Sequence, residues 1–255
     1  MITTKSCITG RWLLALIACL GLTWGVNGYA SPQWDSLQAV TEIYQQAVSS
    51  PIRTNEDRRS DATRKPLEFL QFAQVRPGMR VMDIAAGGGN TSQLLALVVG
   101  SKGTIWAQGE QQRPALVKRL ADNPQSNIVP VISSFEDPIP SNLPKLDLIT
   151  IILSYHDIAY KPVDRAKLNR RLFDALRSGG HLVVIDHTAK PGSGVSAAKT
   201  LHRIDEKVVG EEILKAGFQL EEESNYLHNS SDRRDEAFFK MKIPSDKFAL
   251  RFVKP

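Results

Sequence analysis

From Arg80 to the C-terminus, short apolar runs alternate with segments of helical periodicity, and this alternation constrains the fold more than any other feature of the chain. The runs expected as strands are 80–84, 104–107, 128–132, 146–153, 181–186, 218–223 and 247–253. The helical patterns between them are 91–98, 112–121, 163–176 and 206–216. Such a succession gives parallel strands with helices on both faces of one sheet. Residues 146–153 are apolar at nearly every position, as in a central strand buried on both faces. Only a polar stretch, 224–246, joins the last two runs, so these are expected to be antiparallel neighbours. The expected fold is α/β: a doubly wound, mostly parallel seven-stranded sheet with an antiparallel last strand.

The N-terminus follows a different logic. Lys5 and Arg11 are its only charges, and an apolar run, 12–26, follows Arg11. That run is shorter than the roughly 20 residues a spanning helix needs. Gly28 and Ala30 then put small residues at the two positions a signal peptidase reads. This order is that of a secretory signal, so cleavage after Ala30 and a periplasmic location are expected. The alternatives are an uncleaved anchor and, because Leu16-Ile17-Ala18-Cys19 is similar to a lipobox, a lipoprotein anchored through Cys19.

Both cysteines, Cys7 and Cys19, lie in this segment. The folded domain is thereby expected to lack disulfides, thiolate nucleophiles and cysteine-bound zinc. Removing Lys5 and Arg11 from 32 basic residues leaves 30 against 27 acidic, a net charge of +3. So small an excess does not point to nucleic acid. After the signal (1–30), residues 31–50 and 67–74 are expected to form helices separated by Pro51 and a charged stretch, making 31–75 a helical cap on a domain spanning 76–255.

The segment from Val81 to Asn90, with Gly87, Gly88 and Gly89, runs from a strand into a helix. The glycines let a ligand approach the backbone, Asn90 is a candidate N-cap, and the free helix N–H groups favour an anion. In such a Rossmann-like sheet this crevice is where ligands bind. A dinucleotide fingerprint needs a small third residue three positions after its second glycine; from Gly89 that position is Ser92, a poor match. Asp83, just before the glycines, is expected to face the crevice and would suit a cationic ligand better than a pyrophosphate.

Asp83-x-Ala85-x-Gly87-x-Gly89 and the turn Leu176-Arg177-Ser178-Gly179-Gly180 resemble motifs of the class I S-adenosylmethionine-dependent methyltransferases. More narrowly, Asp61-x-x-Arg64-Lys65-Pro66, Tyr155-His156-Asp157, Asp186-His187, Leu201-His202-Arg203-Ile204-Asp205 and the terminal Phe252-Val253-Lys254-Pro255 resemble a group of exported bacterial methyltransferases. The resemblance implies S-adenosylmethionine as cofactor, bound through Asp83, Ala85, Gly87, Gly88, Gly89 and Asn90, with Ser154 beside the methyl group. The ribose-binding acid usual after the second strand falls on Gly109, so Gln108 or Glu110 is expected in that role. The acid usual after the third strand is replaced by Ser133-Ser134-Phe135-Glu136; Ser134 is placed near the adenine, and Phe135 either covers its face or belongs to the core.

Methyl transfer needs alignment and, for a hydroxyl or protonated amine, a base. His156 after the fourth strand is the candidate base, and Asp157 is expected to orient it or to bind the acceptor; the bland alternative is that both only satisfy loop backbone groups. Asp186, His187, His202 and Asp205 reach the same rim, but no tight metal-ligand spacing appears, so no metal is assigned. The chain lacks an Asn-Pro-Pro-Tyr segment for base amines, which favours a small-molecule acceptor beneath a lid formed by the N-terminal helices and 224–246. The competing functions are a non-catalytic nucleoside-binding protein on the same fold and a nicotinamide-dependent oxidoreductase.

Overall fold

The computed structural model describes residues 32–255; the expected signal segment lies outside them. Three helices come first: α1 (Pro32–Ser49), α2 (Asn55–Arg64) and α3 (Pro66–Phe72). There follow β1 (Arg80–Ile84), α4 (Asn90–Val99), β2 (Thr104–Gly109), α5 (Pro114–Asp122), β3 (Ile128–Ile132) and β4 (Leu146–Ile152). The chain continues through α6 (Tyr155–Ala159), α7 (Arg165–Ala175), β5 (Leu176–His187), α8 (Ala198–Leu201), α9 (Glu206–Lys215), β6 (Gln219–Ser224) and β7 (Lys247–Val253).

The strands form one seven-stranded sheet in the order β3-β2-β1-β4-β5-β7-β6. Pairing is parallel from β3 to β5, whereas β7 runs antiparallel to both β5 and β6. The last strand is therefore the reversed one, inserted between its sequence neighbour and β5. Because side chains alternate across a strand, β1 feeds two cores. Met82 and Ile84 pack with Leu168, Leu172, Val209 and Ile213 of α7 and α9. Val81 packs on the other face with Tyr44, Phe69, Leu70, Leu94 and Leu95 of α1, α3 and α4. The N-terminal helices thus share a core with the sheet. Each such buried side chain contributes roughly 1.5–3 kcal/mol.

The charged stretch after Pro51 is helical, although Asp57 is its buried residue. A capping box starts it: Thr54 Oγ1 accepts from the Asp57 N–H, and the Asp57 carboxylate accepts from the Thr54 N–H. No described helix is long and apolar enough to cross a membrane. The C-terminal ends of β1, β4 and β5 meet at one edge, the crevice edge of a doubly wound sheet.

Candidate active site

The chain leaves β1 through a strained turn. Ala85 (φ +55°), Gly87 (φ +57°) and Gly89 (φ +77°) all have left-handed backbones. For an alanine this costs roughly 1–2 kcal/mol, and such strain concentrates at binding sites. The three glycines have different roles. A Cβ on Gly87 would meet nothing nearer than the Ala85 carbonyl oxygen at 3.9 Å, so its side of the loop is open. A Cβ on Gly88 would touch Ala115 at 3.4 Å, and one on Gly89 would lie 2.6 Å from Leu116 Cδ1. Gly89 therefore serves close packing on α5, whereas a side chain at Gly88 would make ordinary contact and its backbone borders the cavity described below. Gly89, not Asn90, is the N-cap of α4, and no side chain caps the helix; Asn90 is its first residue and borders the cavity below.

Two other expected site residues are tied into the protein by their own hydrogen bonds. Asp83 lies in the wall of the crevice with only 1% of its surface exposed. Its carboxylate accepts from Ser92 Oγ at 2.6 Å and Thr150 Oγ1 at 2.8 Å, which ties β1 to α4 and β4. Burial outweighs these bonds and the field of Arg64 and pushes its pKa up to about 6. Gln108 is likewise committed. Its side-chain oxygen accepts from the Ala85 N–H at 3.1 Å, and its Nε2 donates to the Ser133 carbonyl at 2.8 Å. Both polar atoms thus brace the loop, and the second lone pair of Oε1 is what remains for a ribose hydroxyl.

A cavity of about 170 Å³ opens where Ala85–Gly88 of the loop meets Asn90, Leu153 and Ser154, with Asp83 in its wall. Leu153 (φ +56°) is a bulky residue in the left-handed region at the end of β4. Arg64 of α2 closes the cavity from above. Its guanidinium makes no hydrogen bond to any described residue. Burial pulls its pKa below the ordinary arginine value against the fields of Asp57 and Asp83, yet a guanidinium keeps its proton. The sequence reading gave Arg64 no role; its place in the segment Asp61-x-x-Arg64-Lys65-Pro66 was the available signal. The N-terminal helices and 224–246 meet here, since Lys65 Nζ donates to the Tyr226 carbonyl at 2.5 Å.

Gly87 also borders a second cavity of about 230 Å³ that continues past Gly109. Glu110 is exposed and ion-paired with Lys161. The Lys161 ammonium in turn sits 4.7 Å from the centre of the Phe135 ring. Phe135 is 6% exposed and belongs to the core. Ser134 is exposed, and its Oγ accepts from the Asp137 N–H at 3.3 Å. Ser154 Oγ bonds the Ile152 carbonyl at 3.2 Å.

Beyond Ser154 the chain enters α6 instead of a loop. Tyr155 turns into the core, where its hydroxyl donates to Glu212 at 2.8 Å. His156 is 1% exposed. Asp186 accepts from its backbone N–H at 2.8 Å and faces its Nδ1 at 2.7 Å. Its Nε2 lies 3.3 Å from Asp157 Oδ1, and His202 Nδ1 approaches the same oxygen at 3.3 Å. Burial pulls the His156 pKa down, but Asp186 and Asp157 outweigh it and raise it to about 9. While both carboxylates are ionised they favour the protonated imidazole, which opposes a role for His156 as base at neutral pH. Asp205 caps α9 through the Lys207 N–H at 3.1 Å. Beside His156 stands His187, stacked on Phe238 at 3.9 Å between ring centres.

No family model matches the chain. In sequence it is 25% identical over 164 residues to the ubiquinone/menaquinone biosynthesis C-methyltransferase UbiE of Bordetella parapertussis, across 63% of this chain and 62% of that protein. The protein of the same description from Paraburkholderia phytofirmans is 25% identical over 154 residues, 60% of this chain and 61% of that one. The chain thus spans less than two thirds of the length of these relatives. In structure, it matches a SAM-dependent methyltransferase from Aquifex aeolicus over 85% of this chain and 98% of that one, with a TM-score of 0.54 at 17% identity. This is the class I methyltransferase fold. The N-methyltransferase NodS from Bradyrhizobium japonicum shares it, with a TM-score of 0.53 at 15% identity over 79% of this chain and 98% of that one. In the methyltransferase fold of this chain, the cavity under Arg64 lies at the crevice end of the sheet, where such folds bind ligands.

Proposed function

We propose that the chain is an S-adenosylmethionine-dependent methyltransferase acting on a small-molecule acceptor. One observation carries the reading: the open side of Gly87 and the unpartnered guanidinium of Arg64 face one cavity at the end of β1. That arrangement fits a ligand with a carboxylate at one end and a bulky body lying along the loop. Arg64 would hold the donor's carboxylate, Gly87 would give its body room, and Glu110 would accept from the ribose hydroxyls. When bound, S-adenosylmethionine supplies a methyl group on a sulfonium, an electrophile that needs an aligned acceptor more than an acid or base. The buried Asp83 carboxylate offers a negative field suited to the donor's cationic groups, as no pyrophosphate binder would require.

Asp157, half-buried beside the α6 rim, is the group placed to orient an acceptor. Tyr160 and Phe239, 40% and 59% exposed, flank His202 there and favour an acceptor with a flat apolar face. The UbiE relatives named above are C-methyltransferases of quinone biosynthesis, which accords with such an acceptor.

Export belongs to the same proposal, on the sequence pattern of Lys5, Arg11, the run 12–26 and Ala30; Ser31 should be the mature N-terminus by mass spectrometry. Donor binding tests the central reading. S-adenosylmethionine and its demethylated product should bind and stabilise the protein, and nicotinamide dinucleotides should not.

A further inference from the structure

We propose that His156, Asp157 and His202 form a binding site for one divalent transition-metal ion of the zinc class. The ligand atoms would be His156 Nε2, Asp157 Oδ1 and His202 Nδ1. These side chains bring their ligand atoms within 4.8 Å of one another. Two of the three separations are 3.3 Å. A tetrahedron built on metal–ligand bonds of about 2.0–2.1 Å has edges of about 3.3–3.4 Å. Two imidazole nitrogens converge on a single carboxylate oxygen, an arrangement a simple ion pair does not need.

The surroundings are those of a supported metal site. Asp186, fully buried, holds His156 Nδ1 at 2.7 Å. With the Nδ1 proton held there, a bound cation would displace the Nε2 proton, on the atom facing Asp157. Metal-bound histidines are commonly fixed through a carboxylate on the other nitrogen in this way. Asp186 is itself immobilised by the backbone N–H groups of His156 and His187, at 2.8 and 2.7 Å. One carboxylate in contact and a second behind it balance the two charges of the ion. The ring of His187, whose buried Nε2 has no hydrogen-bond partner among the described residues, lies 5.8 Å from that of His156 between centres.

Two histidines and one carboxylate leave at least one position open, the pattern of catalytic rather than structural zinc. That position faces the solvent side, because Asp157 and His202 are 40% and 30% exposed. The ion would thus stand at the acceptor rim; a use in catalysis rests on the methyltransferase reading, whereas the binding itself does not.

The test is calorimetric titration of chelator-stripped protein with zinc chloride, together with the visible spectrum of the cobalt-substituted protein. One ion per chain and a tetrahedral cobalt band are expected. His202→Ala and Asp157→Asn should each weaken zinc binding at least tenfold, and Asp186→Asn by roughly 10–100-fold through loss of the outer carboxylate. His228→Ala, remote from the cluster, should bind as the wild type does. Each variant is checked for a cooperative melt, and the two ligand variants guard against one failing to fold. No zinc binding by the wild type at millimolar concentration, or equal binding by both ligand variants, overturns the site. Donor binding measured without metal keeps this outcome separate from the methyltransferase reading.

Discussion

Arg119 of α5 reaches across the glycine loop to Asp57 of α2, with Nη1 and Nη2 2.7 and 2.9 Å from the two carboxylate oxygens. Its Nε also donates to the Gly88 carbonyl at 2.8 Å. One guanidinium thus fastens the helix that carries Arg64 to the loop that Arg64 faces. Both side chains are nearly buried, at 11% and 3% exposed. Burial acts to raise the Asp57 pKa, but the bonds from Arg119 and Thr54 outweigh it and hold the carboxyl below its ordinary value. Arg119→Ala would strand that charge, and losing one partner of a buried pair costs about 3–5 kcal/mol. Urea unfolding should show a loss of this size, with donor affinity falling as α2 loosens.

The glycines offer a contrast. Gly87→Ala adds a methyl group to open space at a left-handed backbone, so its stability cost should be the strain alone, about 1–2 kcal/mol. Its larger effect should be on donor affinity, because that space is where the ligand would lie. Gly89→Ala carries the same strain and also displaces Leu116, so it should lose roughly 1–3 kcal/mol more. Thermal melts with and without donor separate the two: Gly87→Ala loses the ligand shift, and Gly89→Ala loses intrinsic stability first.

Asp83 gives a pH signature. Its carboxyl is raised to about 6 by burial, from an ordinary value of 3.8. Between these values the folded chain keeps a proton that the unfolded chain has released. Asp83 therefore favours the folded state at low pH, and that contribution is lost as pH rises through about 6. Asp83→Asn keeps the shape and a partner for Ser92 or Thr150 without titrating. Relative to this variant, the wild type should be more stable at pH 4 than at pH 7, as read from urea midpoints.

The parts legible in sequence were those written in periodicity. The seven strands, the glycine turn and the reversed last strand follow from alternating runs and from a polar connection too irregular for a helix. Helix α2 escaped because a capping box, not an apolar stripe, defines it. Helices α6 and α8, of five and four residues, are too short to show a period. Site roles depended on side-chain bonds that no local pattern encodes. Gln108 and Glu110 stand two residues apart, yet one is consumed inside the loop and the other reaches Lys161. His156 and His202 are far apart in sequence, and the fold, by bringing α6 against α8, puts both on one oxygen of Asp157.

Titration calorimetry of S-adenosylmethionine into the wild type and Arg64→Met, paired with thermal melts, tests the central claim most directly. One saturable site per chain is expected for the wild type, with affinity strongly reduced when the guanidinium is gone. At a hundredfold excess of ligand over its dissociation constant, the stabilisation should be about 2.7 kcal/mol. For a domain of this size that raises the melting temperature by several degrees, at roughly 2–4 °C per kcal/mol. No heat and no shift for the wild type at millimolar donor or demethylated product would contradict the assignment of this cavity to the methyl donor.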